Sequence, residues 1–300
     1  MKTKERGIAL VSALLSVALL TLIVLEATDA AMLHSHLARN AGDSSAARLL
    51  ARAAEEGGSA YLGQMLRTKE PTTRLSLLPL SLVVLPLGAG DVSIRVEDEE
   101  GKLNLNQVAD GPHQEALLQL FEGLDLDTSL LDSVAVWVAA DQGPDEAALA
   151  AAACGLPFPC QPHGGPLRSL EELRLIEGFD DKTIDRLRPF ATAYRRSDGR
   201  DGHKGINADT ASARVLAAAG CEIDESYPMP LQGFGKDLPL DDICPAENRE
   251  GGIPIKYGQR SEYFRLFATG RVGSTIESLE TVARRQGDRL ERIYWSEQSR

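Results

Sequence analysis

At 300 residues, 43% hydrophobic and 25% charged, the chain has the composition of an ordinary globular protein, long enough for one or two folded units beside any targeting segment. Its 27 glycines and 15 prolines are too few to argue disorder. The formal net charge of -12 speaks against a nucleic-acid partner, because such binding draws most of its affinity from lysine and arginine neutralising phosphates.

Residues 1–7, MKTKERG, carry Lys2, Lys4 and Arg6, and residues 8–25, IALVSALLSVALLTLIVL, hold no charge over eighteen positions. As a helix that run covers ~27 Å, about the hydrocarbon thickness of a bilayer, whereas the apolar core of a secretory signal needs only about 7 to 15 residues. Residues 26–32, EATDAAM, offer no cleavage site of the Ala-x-Ala kind. The basic end stays cytoplasmic, so everything after Leu25 is expected outside the cytoplasm. No proline occurs between that run and Pro71, and the helix is expected to continue. Leu33, Leu37, Ala46, Leu49, Leu50, Ala53, Ala54, Leu62, Met65 and Leu66 recur at helical spacing and predict a stripe packed on a sheet. Gly42, Gly57, Gly58 and Gly63 each cost about 1 kcal/mol relative to alanine, and a kink or break is expected near Gly57.

Residues 68–90, with Pro71, Pro79 and Pro86, read as a connector. VSIRVED (92–98) and KLNLN (102–106) both alternate and flank the turn Glu99-Glu100-Gly101, which predicts a hairpin. Between Val108 and Ala219 the periodicity is helical, with helices expected at 112–122, 128–140, 145–153, 169–177, 181–193 and 208–219. Caps are expected from Thr128 or Ser129, from Ser169 with Glu172 at the capping-box position, and from Asn207 and Asp209. Residues 228–258 fit no element, and strands return in 261–272, 274–285 and 289–298.

Cys154, Cys160, Cys221 and Cys244 all follow the apolar run, in a compartment where disulfides persist. Cys154 with Cys160 would close a small loop and leave Cys221 with Cys244, although three connectivities are open. Neither spacing suits zinc. SLEELRLIEGFDDKTIDRLRPF (169–190) resembles a helix-hairpin-helix, but Asp180 and Asp181 stand where a phosphate would approach, which marks a packing module rather than a DNA grip. Asp141, Asp145 and Glu146, and again Asp241 and Asp242, place carboxylates on turns as an oxygen-ligated cation such as calcium requires; solvated loops or helix N-terminal charge account for the same residues. The five histidines are scattered, and no Gly-x-Ser-x-Gly, His-Glu-x-x-His, P-loop or dinucleotide fingerprint occurs, so no catalytic function and no organic cofactor are expected.

A basic leader ending in Gly7 and followed directly by the apolar helix from Ile8 resembles a type IV pilin-like leader. The fifth residue after that junction is Ser12, where most such proteins carry glutamate. Together with EDEEGKLNLN (97–106), GINADTASARVL (205–216) and the order of elements, these residues resemble the K-type minor pseudopilins of bacterial type II secretion. The resemblance implies an α+β pseudopilin fold: a long N-terminal transmembrane and periplasmic helix packed on a small antiparallel sheet, with a large inserted all-helical, SAM-like or helix-hairpin-helix-like domain. It implies a leader at 1–7, a transmembrane helix at 8–25, helix and first strands at 26–107, the insert at 108–230 and closing strands at 231–300. It further implies cleavage between Gly7 and Ile8 by prepilin peptidase, calcium in the helical region, and single-pass inner-membrane placement with a periplasmic domain. The implied partners are I- and J-type minor pseudopilins and the inner-membrane secretion platform, with the chain at the pseudopilus tip as an assembly subunit and not an enzyme. A signal-anchored periplasmic binding module, or another pilus-like subunit, is the alternative.

Overall fold

The computed structural model describes residues 2–68, 70–81, 84–139, 143, 145, 149, 152, 154–155, 165–194, 205–235, 240–244, 253–287 and 289–299. Helix α1 (Lys2–Met65) is unbroken, and the break expected near Gly57 does not occur. Tertiary packing of the upper half outweighs the low helix propensity of glycine. The face it buries is Ala47, Ala51, Ala54, Gly58 and Leu62, spaced by three and four residues, and Leu66 just past its end continues the row. The expected stripe is met only in part: Leu33, Leu37 and Leu49 are 59%, 55% and 66% exposed. Close approach selects the small residues, since a Cβ on Gly270 would overlap the Ala47 carbonyl and one on Gly58 would overlap the Ile94 side chain.

The stretch read as a connector is structured. It holds α2 (Arg74–Ser81), which buries Leu77 and Leu80, and β1 (Val84–Leu87). Gly88, at φ 63°, turns β1 into β2 (Gly90–Asp98). The hairpin of β2 is thus with 84–87 and not with 102–106. On its other side β2 pairs with β7 (Tyr263–Val272), β7 with β8 (Thr275–Gln286) and β8 with β9 (Arg289–Ser299), all antiparallel. The resulting order is β1-β2-β7-β8-β9, with α1 and α2 against one face, and the three C-terminal strands fall where the alternation placed them.

The chain leaves the sheet at Asp98, whose carboxylate accepts the Glu100 N–H and turns Glu99–Gly101 into a 3-10 helix. Beyond it β3 (Leu103–Asn104) runs parallel to β4 (Ala191–Thr192), and Leu103 and Leu105 enter the core of the insert. Two apolar residues are better buried there than on a sheet edge. The insert holds α3 (Gly111–Gly123), α4 (Leu130–Val138), α5 (Asp181–Leu187) and α6 (Ala213–Ala218). A second parallel pair, β5 (Ile206–Asn207) with β6 (Ile255–Lys256), shows that it is not wholly helical. Residues 170–175 form a 3-10 helix where an α-helix was expected, and α5 stops before Pro189 rather than running to 193. Most of the helix expected at 145–153 lies outside the described residues. One core, including Leu117, Leu120, Phe121, Val134, Trp137 and Leu216, also takes Phe234, Leu240, Ile243 and Ile255. The insert core therefore reaches past the expected 108–230 and takes in described residues of the segment that fitted no element.

Candidate functional site

The lower half of α1 is the first candidate surface. Residues 10–42 are exposed all round, and among the described residues this is the one helix long and apolar enough to cross a membrane. Gly7 and Ile8 lie within α1, their side chains outside the described residues. Ser12 is exposed, and its carbonyl accepts the Ser16 hydroxyl. The apolar segment ends nearly twenty residues below Ser44, where the sheet first meets the helix through Glu277, so the stem between them is ~27 Å of bare helix.

The second candidate is the junction between the sheet and the insert, where charge is buried. Asp98 Oδ2 accepts the Thr210 and Ser261 hydroxyls at 2.6 Å each and Asn207 Nδ2 at 2.9 Å. Asn207 Nδ2 also reaches the Thr72 carbonyl at 3.1 Å. One carboxylate thus ties the end of β2 to two other segments, and Asn207 adds Thr72 as a third. Burial raises the Asp98 carboxyl above its ordinary value against the pull of these donors. Asp209 does not cap a helix; its carboxylate accepts the Phe234 and Gly258 N–H groups at 2.7 and 2.6 Å. The cap of α6 is Ser212, bonded to the Val215 N–H.

Beside this knot runs a chain of ion pairs. Lys102 Nζ lies 2.8 Å from both Glu97 and Glu99, and Arg265 Nε lies 2.9 Å from Glu99. Arg265 also pairs with Glu280, and Glu280 lies 3.3 Å from Arg188 of the insert. Arg188 continues to Glu171 at 2.7 Å. Arg265 and Glu99 are each 1% exposed. Burial pushes the Glu99 carboxyl up, but Lys102 and Arg265 outweigh it and hold it at about 2. Burial works against the Arg265 guanidinium, yet Glu99 and Glu280 hold it above its ordinary value. Desolvation pushes the Tyr194 phenol, beneath the Arg265 guanidinium, well above its usual range. None of these ion-pair residues was singled out as a site from the sequence. The signal available was Arg265 itself, a charge inside the apolar strand YFRLFATG.

The remaining expected sites are dispersed. Cys221 is bonded to Cys244. Cys154 is also disulfide-bonded, and Cys160 lies outside the described residues. In the hairpin-like segment Phe179 is buried in the insert core, Asp180 caps α5 through the Thr183 N–H at 2.7 Å, and Asp181 pairs with Arg174. The helix-start amide that a phosphate would need is already taken. Ser169 makes no side-chain cap, though Glu172 accepts the Arg168 N–H at 3.1 Å. Asp241 and Asp242 sit exposed on a 3-10 turn, Asp145 is exposed, and Asp141 and Glu146 lie outside the described residues. Among the described residues no three His, Cys, Asp or Glu side chains gather at one point.

A bare apolar helix, long enough to cross a membrane, that continues into a head of α1 packed on an antiparallel sheet, with an insert between β2 and β7, defines an α+β protein. Residues 101–196, about a third of the chain, match the family model for Type II secretion system (T2SS), protein K. The fold is similar to that of a chain in the crystal structure of the GspK-GspI-GspJ complex from the enterotoxigenic Escherichia coli Type 2 Secretion System, with a TM-score of 0.67 at 16% identity over 87% of this chain and 99% of that one. Among curated proteins no relative matches. The family match covers residues 101–196, and the structural likeness, at this identity, is one of fold.

Proposed function

We propose that the whole chain acts as a K-type minor pseudopilin, a non-enzymatic assembly subunit at the tip of a pseudopilus that exports folded proteins. One observation carries this reading: the sheet that packs on α1 is small, and the insert between β2 and β7 is a body with its own core. A subunit bearing such a body can end a stack of pilin-like helices but is too bulky to repeat along it. Ser12 in place of an acidic residue suits the same position, because it supplies no charge for a subunit end to dock against. In this reading the leader is removed between Gly7 and Ile8, taking Lys2, Lys4, Arg6 and Glu5 with it, so the formal charge falls by two from -12 to -14. The head is periplasmic, and its partners are I- and J-type minor pseudopilins, as in the complex that the similar fold comes from. Calcium would bind at the acidic turns. With no converging group of three acidic side chains among the described residues, an ion at Asp145 or at Asp241 and Asp242 would draw on carbonyl oxygens and water, or on Asp141 and Glu146.

The test is co-production of the full-length chain with I- and J-type subunits, with copurification from detergent expected only when the partners are present. Homopolymeric filaments of the processed chain alone, seen by electron microscopy, would overturn the tip assignment.

A further inference from the structure

The two flanks of α1 differ. On the side towards β9 the helix carries charge, and the charge is paired: Arg48 and Arg52 lie 3.7 and 2.7 Å from Glu297, and Glu55 lies 2.8 Å from Arg292. On the side towards β1 every fourth residue from Leu33 to Tyr61 is exposed and uncharged, so these residues form one ridge along the helix surface. In the head the ridge borders an open groove of about 410 Å³, lined by Ala53, Gly57 and Tyr61, by Pro79 of α2 and by Leu85 and Leu87 of β1. Leu85 stands opposite Val92, on the sheet face that α1 covers. Even so, Leu85 is 55%, Leu87 46% and Tyr61 46% exposed. Large apolar side chains from two elements thus face a space that no described residue fills.

Gly57 shows that folding does not require the opening. A Cβ on Gly58 would overlap the Ile94 side chain, so packing accounts for that glycine, whereas a Cβ on Gly57 would meet nothing within 4 Å. Glycine is the poorest helix former after proline, and a larger residue at 57 would both strengthen α1 and cover apolar surface. The helix is left bare there at a cost in stability, as suits a place where something must come close to its backbone.

The form of the occupant follows from the surroundings. β1 is a four-residue edge strand that contains Pro86, a poor template for an added strand. Below the head the ridge continues through Leu49 to Leu37 and Leu33, just above the apolar run that ends at Leu25. A surface that starts beside the membrane and climbs along one helix into the head is matched in length and direction by another helix rising from the same membrane. We propose that this flank, with the groove at its top, is the seat for the long helix of a second, different membrane-anchored chain, which lays an uncharged face on the ridge and a large apolar side chain in the groove at Gly57. The seat rests on the assembly role proposed above and adds which side of α1 that role uses; the paired flank towards β9 is not part of it.

The test co-produces the full-length chain with I- and J-type subunits and measures the partner recovered from detergent. Gly57→Leu fills the groove from a position with room for the side chain. Gly63→Leu, whose Cβ also meets nothing within 4 Å and which lies about 120° away round the helix, is the control. Recovery of one partner should fall about tenfold or more with Gly57→Leu and less than about twofold with Gly63→Leu, with the melting temperature of the chain alone unchanged or raised in both. A benzophenone side chain in place of Leu85 should crosslink to the N-terminal helix of that partner, and one in place of Arg52 should not. If the parent recovers neither partner, the assembly role fails and the seat with it. If the parent recovers a partner and Gly57→Leu does so equally, or the two leucine variants lose it equally, the seat alone fails. Should Gly57→Leu lower the melting temperature, the crosslinks decide: a partner trapped from Arg52 and not from Leu85, or a second copy of this chain trapped from Leu85, overturns the seat.

Discussion

Removing the Cys221–Cys244 disulfide should cost the insert about 3 kcal/mol. The bond closes a loop of sequence separation 23, and the loop-closure relation puts the entropy it removes from the unfolded chain at roughly 11 cal/mol/K, or about 3.4 kcal/mol at 25 °C. Both sulfurs sit in the insert core, with Cys244 1% and Cys221 7% exposed, so replacement by alanine also leaves a small void. The loop holds the turn at 240–244 against the end of α6, where the Glu222 N–H bonds the Ile243 carbonyl at 2.7 Å. For a body of this size each kcal/mol moves the melting point by roughly 3 to 5 °C, so a fall of about 10 °C is expected for Cys221→Ala with Cys244→Ala. Scanning calorimetry of the full chain measures it. The double variant is preferred to chemical reduction, which would also open the bond made by Cys154. A melting point within about 2 °C of the parent would show that the unfolded chain is already constrained there and that the loop argument fails.

Gly270→Val places a branched side chain where β7 touches the Ala47 carbonyl, and lifting α1 off the sheet should cost at least 1–3 kcal/mol, about the range for overpacking; an unchanged denaturant midpoint would contradict the close approach. Glu99 has a folded-state value of about 2 against an ordinary 4.5, so its stabilisation is fully present above pH 4.5 and is lost as pH falls towards 2, an amount on the order of 3 kcal/mol. Glu99→Gln should therefore flatten the loss of stability between those limits, and an identical acid slope in chemical denaturation at stepped pH would refute the assignment.

The elements with a repeating pattern were legible. The three C-terminal strands alternate cleanly, the apolar run after Gly7 has the length of a bilayer, and the helical texture after Val108 is real. The misread elements share a cause, which is that the deciding partner is remote in sequence. KLNLN alternates as a strand does, but Leu103 and Leu105 alternate into the insert core because Asp98 bends the chain and Ala191 offers a parallel partner 88 positions later. The α1 stripe was half legible for a related reason. Ala54, Leu62 and Leu66 are buried as expected and Leu33 and Leu37 lie below the sheet, but Ala47 and Ala51 are buried while Leu49 is left outside, because the sheet comes so close there that small residues fit beneath it.

Asp209 shows the limit most clearly, and with it why the junction was not visible. An aspartate shortly before a helix is a cap by every local rule, and GINADTASARVL satisfies those rules twice, once at Asp209 and once at Ser212. Local energetics cannot choose between them, because either side chain could bond an orphan amide for about 1 kcal/mol. The choice is made by Phe234, whose N–H lies buried with Asp209 as its acceptor, and by the Gly258 N–H, which the same carboxylate accepts. Leaving those donors unmade would cost more than the cap is worth, so the aspartate turns inward and the serine takes the helix end. Glu99 and Arg265 follow the same rule on a larger scale: a charge that reads as solvated turn or strand surface is buried when its counter-charge, 166 residues away, arrives by folding.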